Sequence, residues 1–260
     1  MRVFVKATAV VVMTLVAVSV PLLTRLVTLN AVRPVVRVGS VASWMWSRWL
    51  CAILGIEVRA TGRPEGKPFV VASNHVSYLD ILVLGSLYPG QFVAKDEIRG
   101  WPLFGWISRA AGTLFVDRDN PRDAVRVIRR IRAFLANGTP VTIFPEGRIS
   151  GGKDVAPFLP SLLEPAARHS VPCFAASVSY DTPESEMAPA RTICWSDGSN
   201  FVKHFLRVLT LRRIEARVNF SEEAVQSSDR KELAQRLWQH SRGTFVPIRQ
   251  EPLAPPQCAP

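Results

Sequence analysis

Histidine and cysteine are scarce in this sequence, which has four residues of each type among 260. No CxxC pair and no HExxH motif occurs, and such spacings are the usual signature of a zinc site built from side chains. A chain of this length can bury its core without disulfides. We therefore predict no protein-bound metal and expect reduced cysteines. The cysteines are Cys51, Cys173, Cys194 and Cys258.

The sequence also lacks the motifs of a nucleophilic hydrolase. It contains no GxSxG, and no cysteine adjoins a histidine along the chain. Enzymes that form an acyl-serine or acyl-cysteine intermediate need such an activated nucleophile. A hydrolase of this kind is therefore disfavoured.

Acidic residues are few relative to basic ones: 21 Asp and Glu against 32 Lys and Arg give a formal net charge of +11. This excess suits a polyanionic partner, either nucleic acid or an anionic membrane surface. No recognised nucleic-acid-binding motif accompanies the basic residues. We expect a membrane bilayer as partner and no nucleic acid. A basic binding protein without catalysis is the remote alternative.

Hydrophobic residues make up 48% of the chain, and the first long apolar run extends from Ala7 to Leu23. Its length is at the lower limit for a membrane-spanning helix, and no A-x-A cleavage site of a signal peptide follows. A second stretch, Val35 to Ile56, is rich in Trp and Arg, which is typical of a helix in the headgroup region or of an ordinary core helix. Residues 1–60 are predicted to form membrane-anchoring or interfacial helices. The arginines after the first run place the remaining chain in the cytoplasm.

Residues 61–246 alternate between short apolar strands and helices, the pattern of an α/β layer architecture. A terminal helix is expected to begin after Ser221 as N-cap and to run to Trp238. The Pro-rich residues 247–260 are predicted to be a disordered tail. The other predicted elements are strands at 68–73, 92–94, 113–116, 141–144, 173–178 and 213–220, the last as an edge strand, and helices at 81–88 and 121–136.

The segment from Asn74 to Asp80 contains the most informative motif, a histidine and an aspartate five residues apart. It lies where a predicted strand gives way to a helix, so a loop and one helical turn can return Asp80 to the ring of His75. A carboxylate there fixes the imidazole tautomer and leaves the other nitrogen free to accept a proton. Ser77-x-x-Asp80 is also a helix capping box, and the two roles are compatible.

Two further segments place functional residue types at the ends of predicted strands. The strand after Gly112 ends at Arg118, a residue type suited to bidentate phosphate binding, although a surface ion pair is the simpler interpretation. The next strand leads to Glu146 and to Gly147, where glycine permits close approach of the backbone to a ligand. Two more basic residues are candidate contacts for an anionic head group: Lys95 and Arg148.

Taken in order, these segments resemble the signatures of the glycerolipid acyltransferase family, and of the lysophosphatidic acid acyltransferases in particular. The resemblance runs from residue 69 to residue 180. Two departures stand out: Arg148 follows Glu-Gly where the family usually has Thr, and a second proline is missing after Val171-Pro172. The matching residues are Asn74, His75 and Asp80 for Asn-His-x4-Asp, Gly112, Phe115 and Arg118 for the Gly-x-x-Phe-x-x-Arg strand, and 144–147 for Phe-Pro-Glu-Gly.

The resemblance implies a central mixed β-sheet flanked by helices, the glycerol-phosphate acyltransferase-like fold, behind an N-terminal membrane element. It implies His75 as general base with Asp80 as its partner, an acyl-CoA or acyl carrier protein donor, and no bound cofactor. The implied acceptor is the sn-2 hydroxyl of lysophosphatidic acid, with lyso-ornithine lipid as the alternative, at a bacterial inner membrane. The implied substrate-binding residues are Asn74, Lys95, Arg118, Glu146, Gly147 and Arg148.

Overall fold

The computed structural model describes residues 1–28, 32–66, 68–101, 104–117, 121–183, 187–196, 198 and 200–250, with the backbone alone at 32–35, 104 and 121–125. Within these ranges two long N-terminal helices precede a seven-stranded β-sheet that is flanked by shorter helices. The two N-terminal helices are α1 (Arg2–Val27) and α2 (Val32–Leu54).

The sheet and its helices alternate along the chain as the sequence predicts. The strands are β1 (Ile56–Thr61), β2 (Val70–Ser73), β3 (Gln91–Lys95), β4 (Leu114–Val116), β5 (Val141–Ile143), β6 (Cys173–Asp181) and β7 (Ile214–Phe220). The other helices are α3 (Leu79–Leu87), α4 (Phe104–Ala111), α5 (Pro121–Ala136), α6 (Pro160–Ala167), α7 (Pro189–Thr192), α8 (Phe201–Thr210) and α9 (Arg230–Thr244), with a 3₁₀ helix at Asp96–Gly100.

The strands are ordered β1-β7-β6-β2-β5-β3-β4 across the sheet. From β6 to β4 in that order the neighbours are parallel, β7 is antiparallel to β6, and β1 is parallel to β7. The implied mixed sheet flanked by helices is therefore confirmed. Because β2, β3, β4, β5 and β6 point the same way, their carboxyl ends share one edge of the sheet. The segments with the sequence motifs follow those ends.

The core is centred on β2 and on α3, the helix that follows it. All four residues of β2 are buried, since the strand has a parallel neighbour on each side and side chains packed on both faces. Helix α3 packs against α2 so closely that a Cβ at Gly85 would lie 2.6 Å from Ser47 Oγ. The loop between β2 and α3 is therefore held between two well-packed elements.

Helix α1 lies along the folded domain and is joined to it near both of its ends. Arg2 donates to the carbonyl of Thr210, and Lys6 Nζ donates to the carbonyls of Leu54 and Leu211, at 2.9 Å each. At the other end of the helix, the guanidinium of Arg25 donates to the carbonyl oxygen of residue 109 in α4. The helix is long and apolar enough to cross a membrane, and only 11% of its most apolar window is buried.

Several predicted boundaries are wrong. Strand β7 is not at an edge, because it lies between β1 and β6, and β1 itself was not predicted. The last helix begins at Arg230 with Asp229 as its cap, while the hydroxyl of Ser221 accepts from the N–H of Ala175. The predicted disorder does not hold for residues 247–250, since Ile248 is buried and its N–H donates to the carbonyl of residue 152; residues 251–260 lie outside the described residues.

Other predicted elements agree with the structure. Helix α5 has the predicted bounds, 121–136, and the predicted strands correspond to β2 to β7 within a few residues. Helix α2 corresponds to the predicted stretch Val35 to Ile56, but it begins earlier, at Val32, and ends earlier, at Leu54, before β1. The connection after β3 contains a 3₁₀ helix and α4, which were not predicted. The division into 1–60, 61–246 and 247–260 as separate functional parts stays a prediction.

Candidate active site

Asn74 begins the loop that leaves β2 and fastens it to the neighbouring strand. Its side-chain oxygen accepts from the backbone N–H of Val178 at 2.6 Å, and its amide donates to the carbonyl of the same residue at 2.9 Å. The side chain is fully buried, so both of its polar groups are used within the protein. Asn74 therefore supports the site from within the fold, and the substrate contact implied for it stays a prediction.

His75 and Asp80 form a direct pair. Nδ1 of His75 lies 2.8 Å from Oδ2 of Asp80, as the loop followed by a first helical turn predicts. The same oxygen accepts from the backbone N–H groups of Val76, at 2.7 Å, and Ser77, at 3.0 Å, so Asp80, in the first turn of α3, also holds the loop that precedes the helix. Because a carboxylate only accepts hydrogen bonds, Nδ1 carries the hydrogen and Nε2 is left as the basic nitrogen.

The imidazole of His75 is also held by the segment that follows β5. Its ring stacks on Phe144, with centroids 4.0 Å apart and planes at 17°. The backbone N–H of His75 donates to Glu146 Oε1 at 2.8 Å, and its carbonyl accepts from the N–H of Ser150 at 2.7 Å. The side chain is 15% exposed, whereas that of Asp80 is fully buried. The contacts with buried groups therefore fix the pair, and only the imidazole ring of His75 is accessible to solvent.

Glu146 has a different place from the one the sequence suggested. It is buried, and its two oxygens accept from the backbone N–H groups of His75 and, at 3.2 Å, Ala156. Burial raises the pKa of its carboxyl to about 7, and the nearby charge of Asp80 adds to this, while the two backbone donors and Arg148 act in the opposite direction. Glu146 therefore joins two loops of the site, and its contact with an acceptor stays a prediction.

The glycines of the two motifs have backbone reasons to be glycine. Gly147 has φ +75°, and its N–H donates to the carbonyl of Phe144, which turns the chain back toward His75. Gly112 has φ +86° two residues before β4, where an added Cβ would lie 3.0 Å from the side-chain oxygen of Gln91. Both conformations are strained for other residues.

Two of the three predicted basic contacts, Lys95 and Arg148, lie near the same edge of the sheet. Lys95 is the last residue of β3, has a half-exposed side chain and forms an ion pair with Glu97. Arg148 is exposed two residues after Glu146. Arg118 lies outside the described residues. The two described cations are available at the surface, and their contact with an anionic head group stays a prediction.

Two groups beside the site could not be found from the local motifs. The hydroxyl of Tyr180, near the end of β6, donates to Asp80 Oδ1 at 2.7 Å, and the predicted strand 173–178 stops before this residue. The ring of His204 lies 3.0 Å from the hydroxyl of Tyr78 and 3.2 Å from the carbonyl of Cys194. Since that carbonyl only accepts, Nε2 of His204 carries the hydrogen and Nδ1 accepts from Tyr78.

The described cysteines are not candidate nucleophiles. Cys51, Cys173 and Cys194 are free and buried, and burial raises the pKa of each thiol to about 12. They are thiols at neutral pH, and the thiolate is the reactive form. Among the residues that the structure describes, no group of three or more His, Cys, Asp or Glu side chains is placed to hold a metal ion.

Comparisons with known proteins identify the family of this chain. Residues 55–179 match the Acyltransferase family. The chain is 33% identical to the lyso-ornithine lipid O-acyltransferase of Pseudomonas aeruginosa, over 78% of this chain and 80% of that protein. It is 30% identical to the 1-acyl-sn-glycerol-3-phosphate acyltransferase of Neisseria meningitidis, over 74% of this chain and 75% of that protein.

The fold has a counterpart among solved structures. The crystal structure of the 1-acyl-sn-glycerophosphate (LPA) acyltransferase PlsC from Thermotoga maritima superposes with a TM-score of 0.65, covering 94% of this chain and 96% of that one. Sequence identity is 19%, so the likeness concerns the fold. The relatives in the two bacteria above are closer in sequence but align over a smaller share of this chain. With the signature residues of its site assembled as described, this chain belongs to the acyltransferase family.

Proposed function

We propose that this protein transfers a fatty acyl group from an acyl thioester to the free hydroxyl of a lysolipid. The observation that carries the proposal is the contact of His75 Nδ1 with Asp80 Oδ2 at 2.8 Å. It leaves a basic nitrogen on a partly exposed ring, in a chain whose relatives are named as lysolipid acyltransferases. That arrangement is suited to activating a hydroxyl group of a second molecule.

In the proposed reaction, Nε2 of His75 takes the proton from the acceptor hydroxyl as that oxygen attacks the thioester carbonyl carbon. Asp80 stabilises the imidazolium that forms. The tetrahedral intermediate then breaks its carbon–sulfur bond, and the imidazolium returns the proton to the leaving thiolate. The products are an ester and a thiol, and His75 is neutral again at the end of the cycle.

The donor in this proposal is acyl-CoA or acyl carrier protein, and no bound cofactor takes part. Both donors are anionic, and the net charge of +11 favours their association with the protein. The high pKa of the described cysteine thiols argues against an acyl-cysteine intermediate. We therefore propose that the lipid hydroxyl attacks the thioester directly, without a nucleophilic side chain of the protein.

For the acceptor we propose lysophosphatidic acid, acylated at its sn-2 hydroxyl to give phosphatidic acid. Lys95 and Arg148, at the carboxyl edge of the sheet, would bind its phosphate together with Arg118, which lies outside the described residues. Lyso-ornithine lipid is the second candidate. It is favoured by relatives of that name with 33% and 32% identity, and by Arg148 at a position where the resembled family usually has Thr.

We further propose that the protein works at the cytoplasmic face of a bacterial inner membrane. Because Arg2, Lys6 and Arg25 join α1 to the domain near both of its ends, the helix lies alongside the domain. Its outer face is then free to enter one leaflet. The exposed apolar residues of α1 are Phe4, Val5, Val11, Val12, Leu15, Val16, Val20, Leu22, Leu23, Leu26 and Val27.

An acyl-transfer assay tests the reaction and the acceptor together. Full-length protein in lipid vesicles is given labelled acyl-CoA, or acyl carrier protein, with a panel of lysolipids. We expect label in phosphatidic acid, and label in ornithine lipid instead would establish the second candidate. Transfer to none of the lysolipids, or release of free fatty acid without an acceptor, would refute the proposal.

The role of His75 is tested in the same assay by His75→Ala. We expect turnover to fall by a factor on the order of 10³ while lysolipid binding is retained. His169→Ala, at an exposed position remote in sequence, is the matched control and should keep the wild-type rate. A wild-type rate in His75→Ala would remove this residue from the mechanism.

A further inference from the structure

Among the described residues, Tyr180 makes the hydrogen bond to Asp80 that comes from a distant part of the chain. Its hydroxyl donates to Oδ1 at 2.7 Å, across a separation of 100 residues. The tyrosine is 3% exposed and the aspartate fully buried, so the hydrogen bond is shielded from solvent. A charge-assisted bond of this kind is stronger than one between neutral groups.

The other oxygen of Asp80 is already engaged by local donors. Oδ2 takes the hydrogen bonds from His75 Nδ1 and from the backbone N–H groups of Val76 and Ser77. Those contacts follow from the loop and from the position of Asp80 in the first turn of α3. The local loop therefore donates no hydrogen bond to Oδ1, and the hydroxyl of Tyr180 compensates the negative charge on that oxygen.

We propose that Tyr180 is a positioning residue that limits how strongly Asp80 attracts a proton onto the ring of His75. A phenol that donates to a carboxylate draws negative charge away from it, so the paired imidazolium is stabilised less. The imidazole then stays neutral, and competent as a base, down to lower pH. This inference rests on the general-base role of His75 under the proposed function.

The surroundings of Tyr180 leave its hydroxyl as a donor. Burial, and then the charge of Asp80, raises the pKa of the phenol well above its usual value, so it stays protonated. The other titratable groups that influence it are the thiols of Cys51 and Cys194, whose pKa of about 12 keeps them neutral. On the far side of the pair lies Glu146, whose carboxyl has a pKa of about 7.

The test compares Tyr180→Phe with Tyr88→Phe. Tyr88 is also a buried tyrosine with a bonded hydroxyl, but its partner is Thr142, at 2.7 Å. We expect the acid limb of the kcat/KM profile to move up by about 0.5 to 1 pH unit in Tyr180→Phe, which lowers kcat/KM about three- to tenfold below the midpoint. The acceptor KM of Tyr180→Phe should match that of wild type, and Tyr88→Phe should have the wild-type pH profile of kcat/KM. Glu146 titrates in all three proteins.

A second measurement does not depend on acyl transfer. Nuclear magnetic resonance of isotope-labelled histidine, with the His75 signal assigned from His75→Ala, reports the titration midpoint of the ring directly. We expect a rise of about 0.5 to 1 pH unit in Tyr180→Phe. If wild type transfers no acyl group but this shift occurs, the proposed reaction fails while the proton-tuning contact stands.

Replacement of Tyr180 by a ring-fluorinated tyrosine keeps its shape and makes the phenol a stronger donor. The titration midpoint of the His75 ring should then move to lower pH, opposite to its shift in Tyr180→Phe. If the phenylalanine variant does not fold, the fluorinated variant alone tests the inference. A midpoint that stays at the Tyr88→Phe value in both Tyr180 variants would overturn the inference.

Discussion

Replacing Glu146 by glutamine tests the buried carboxyl that holds the backbone of His75. The pKa of Glu146 is about 7 in the folded protein against an ordinary 4.5, because burial disfavours the charged form and the charge of Asp80 adds to this. The folded state therefore binds this proton more tightly than the unfolded state does. The stabilisation is fully present below pH 4.5 and is lost as the pH rises to 7.

The size of the effect follows from the shift. Each pH unit between the two values is equivalent to about 1.4 kcal/mol, so the free energy of unfolding loses about 3 kcal/mol across the interval. Glu146→Gln carries no titrating group there. The unfolding free energy of wild type minus that of the variant should therefore fall by about 3 kcal/mol from pH 4.5 to pH 7.

The measurement is urea unfolding of the full-length protein in detergent, followed by tryptophan fluorescence at a series of pH values. Glu65→Gln removes one carboxylate from an exposed loop and serves as the surface control. If wild type and Glu146→Gln keep a constant difference across this range, the carboxyl does not carry a buried charge at neutral pH. The positioning role assigned to Glu146 would then need another explanation.

Two further predictions concern the same loop. Asp80→Asn removes the charge that stabilises the imidazolium, so kcat should fall by a factor on the order of 10³ with little change in acceptor KM, and a loss below about tenfold would contradict the pair. Asn74→Ala leaves the backbone N–H and carbonyl of Val178 without partners and should destabilise the protein by about 2 to 4 kcal/mol in urea unfolding, and a loss below about 0.5 kcal/mol would refute that contact.

The His75–Asp80 pair could be predicted from the sequence because its geometry is local. A strand that ends at Ser73 and a helix that starts at Leu79 leave few paths for the loop between them, and the first turn of the helix returns Asp80 to the ring. The capping pattern supported the same geometry. Neither feature needed knowledge of the rest of the sheet.

Contacts that depend on strand pairing could not be predicted in this way. Tyr180 reaches Asp80, and Val178 reaches Asn74, because β6 pairs with β2 in one register, with Ser73 opposite Ala176. Nothing in the sequence near residue 180 encodes that register. The alternating pattern of β7 was read as an edge strand for the same reason, since it does not reveal that β1 covers its other side.

The position of Glu146 shows what residue type alone could not predict. A carboxylate beside glycine at a strand end suggests a ligand contact, which stays a prediction, whereas the burial of Glu146 and its hydrogen bonds to the backbone of His75 and Ala156 depend on the fold. The prediction that Ser221 caps the last helix is wrong for a related reason. Its hydroxyl bonds to the N–H of Ala175, so Asp229 caps the helix instead.

The two carboxyl groups beside His75 differ in the number of hydrogen bonds that they accept. Asp80 accepts four hydrogen bonds, from His75, Val76, Ser77 and Tyr180, whereas Glu146 accepts two backbone N–H groups. Fewer donors compensate the buried charge of Glu146 less, which is why burial raises its pKa to about 7. Negative charge behind the imidazole is therefore concentrated on the carboxylate that contacts Nδ1. Under the proposed function, that placement stabilises the imidazolium during proton transfer and limits additional negative charge beside an anionic acceptor.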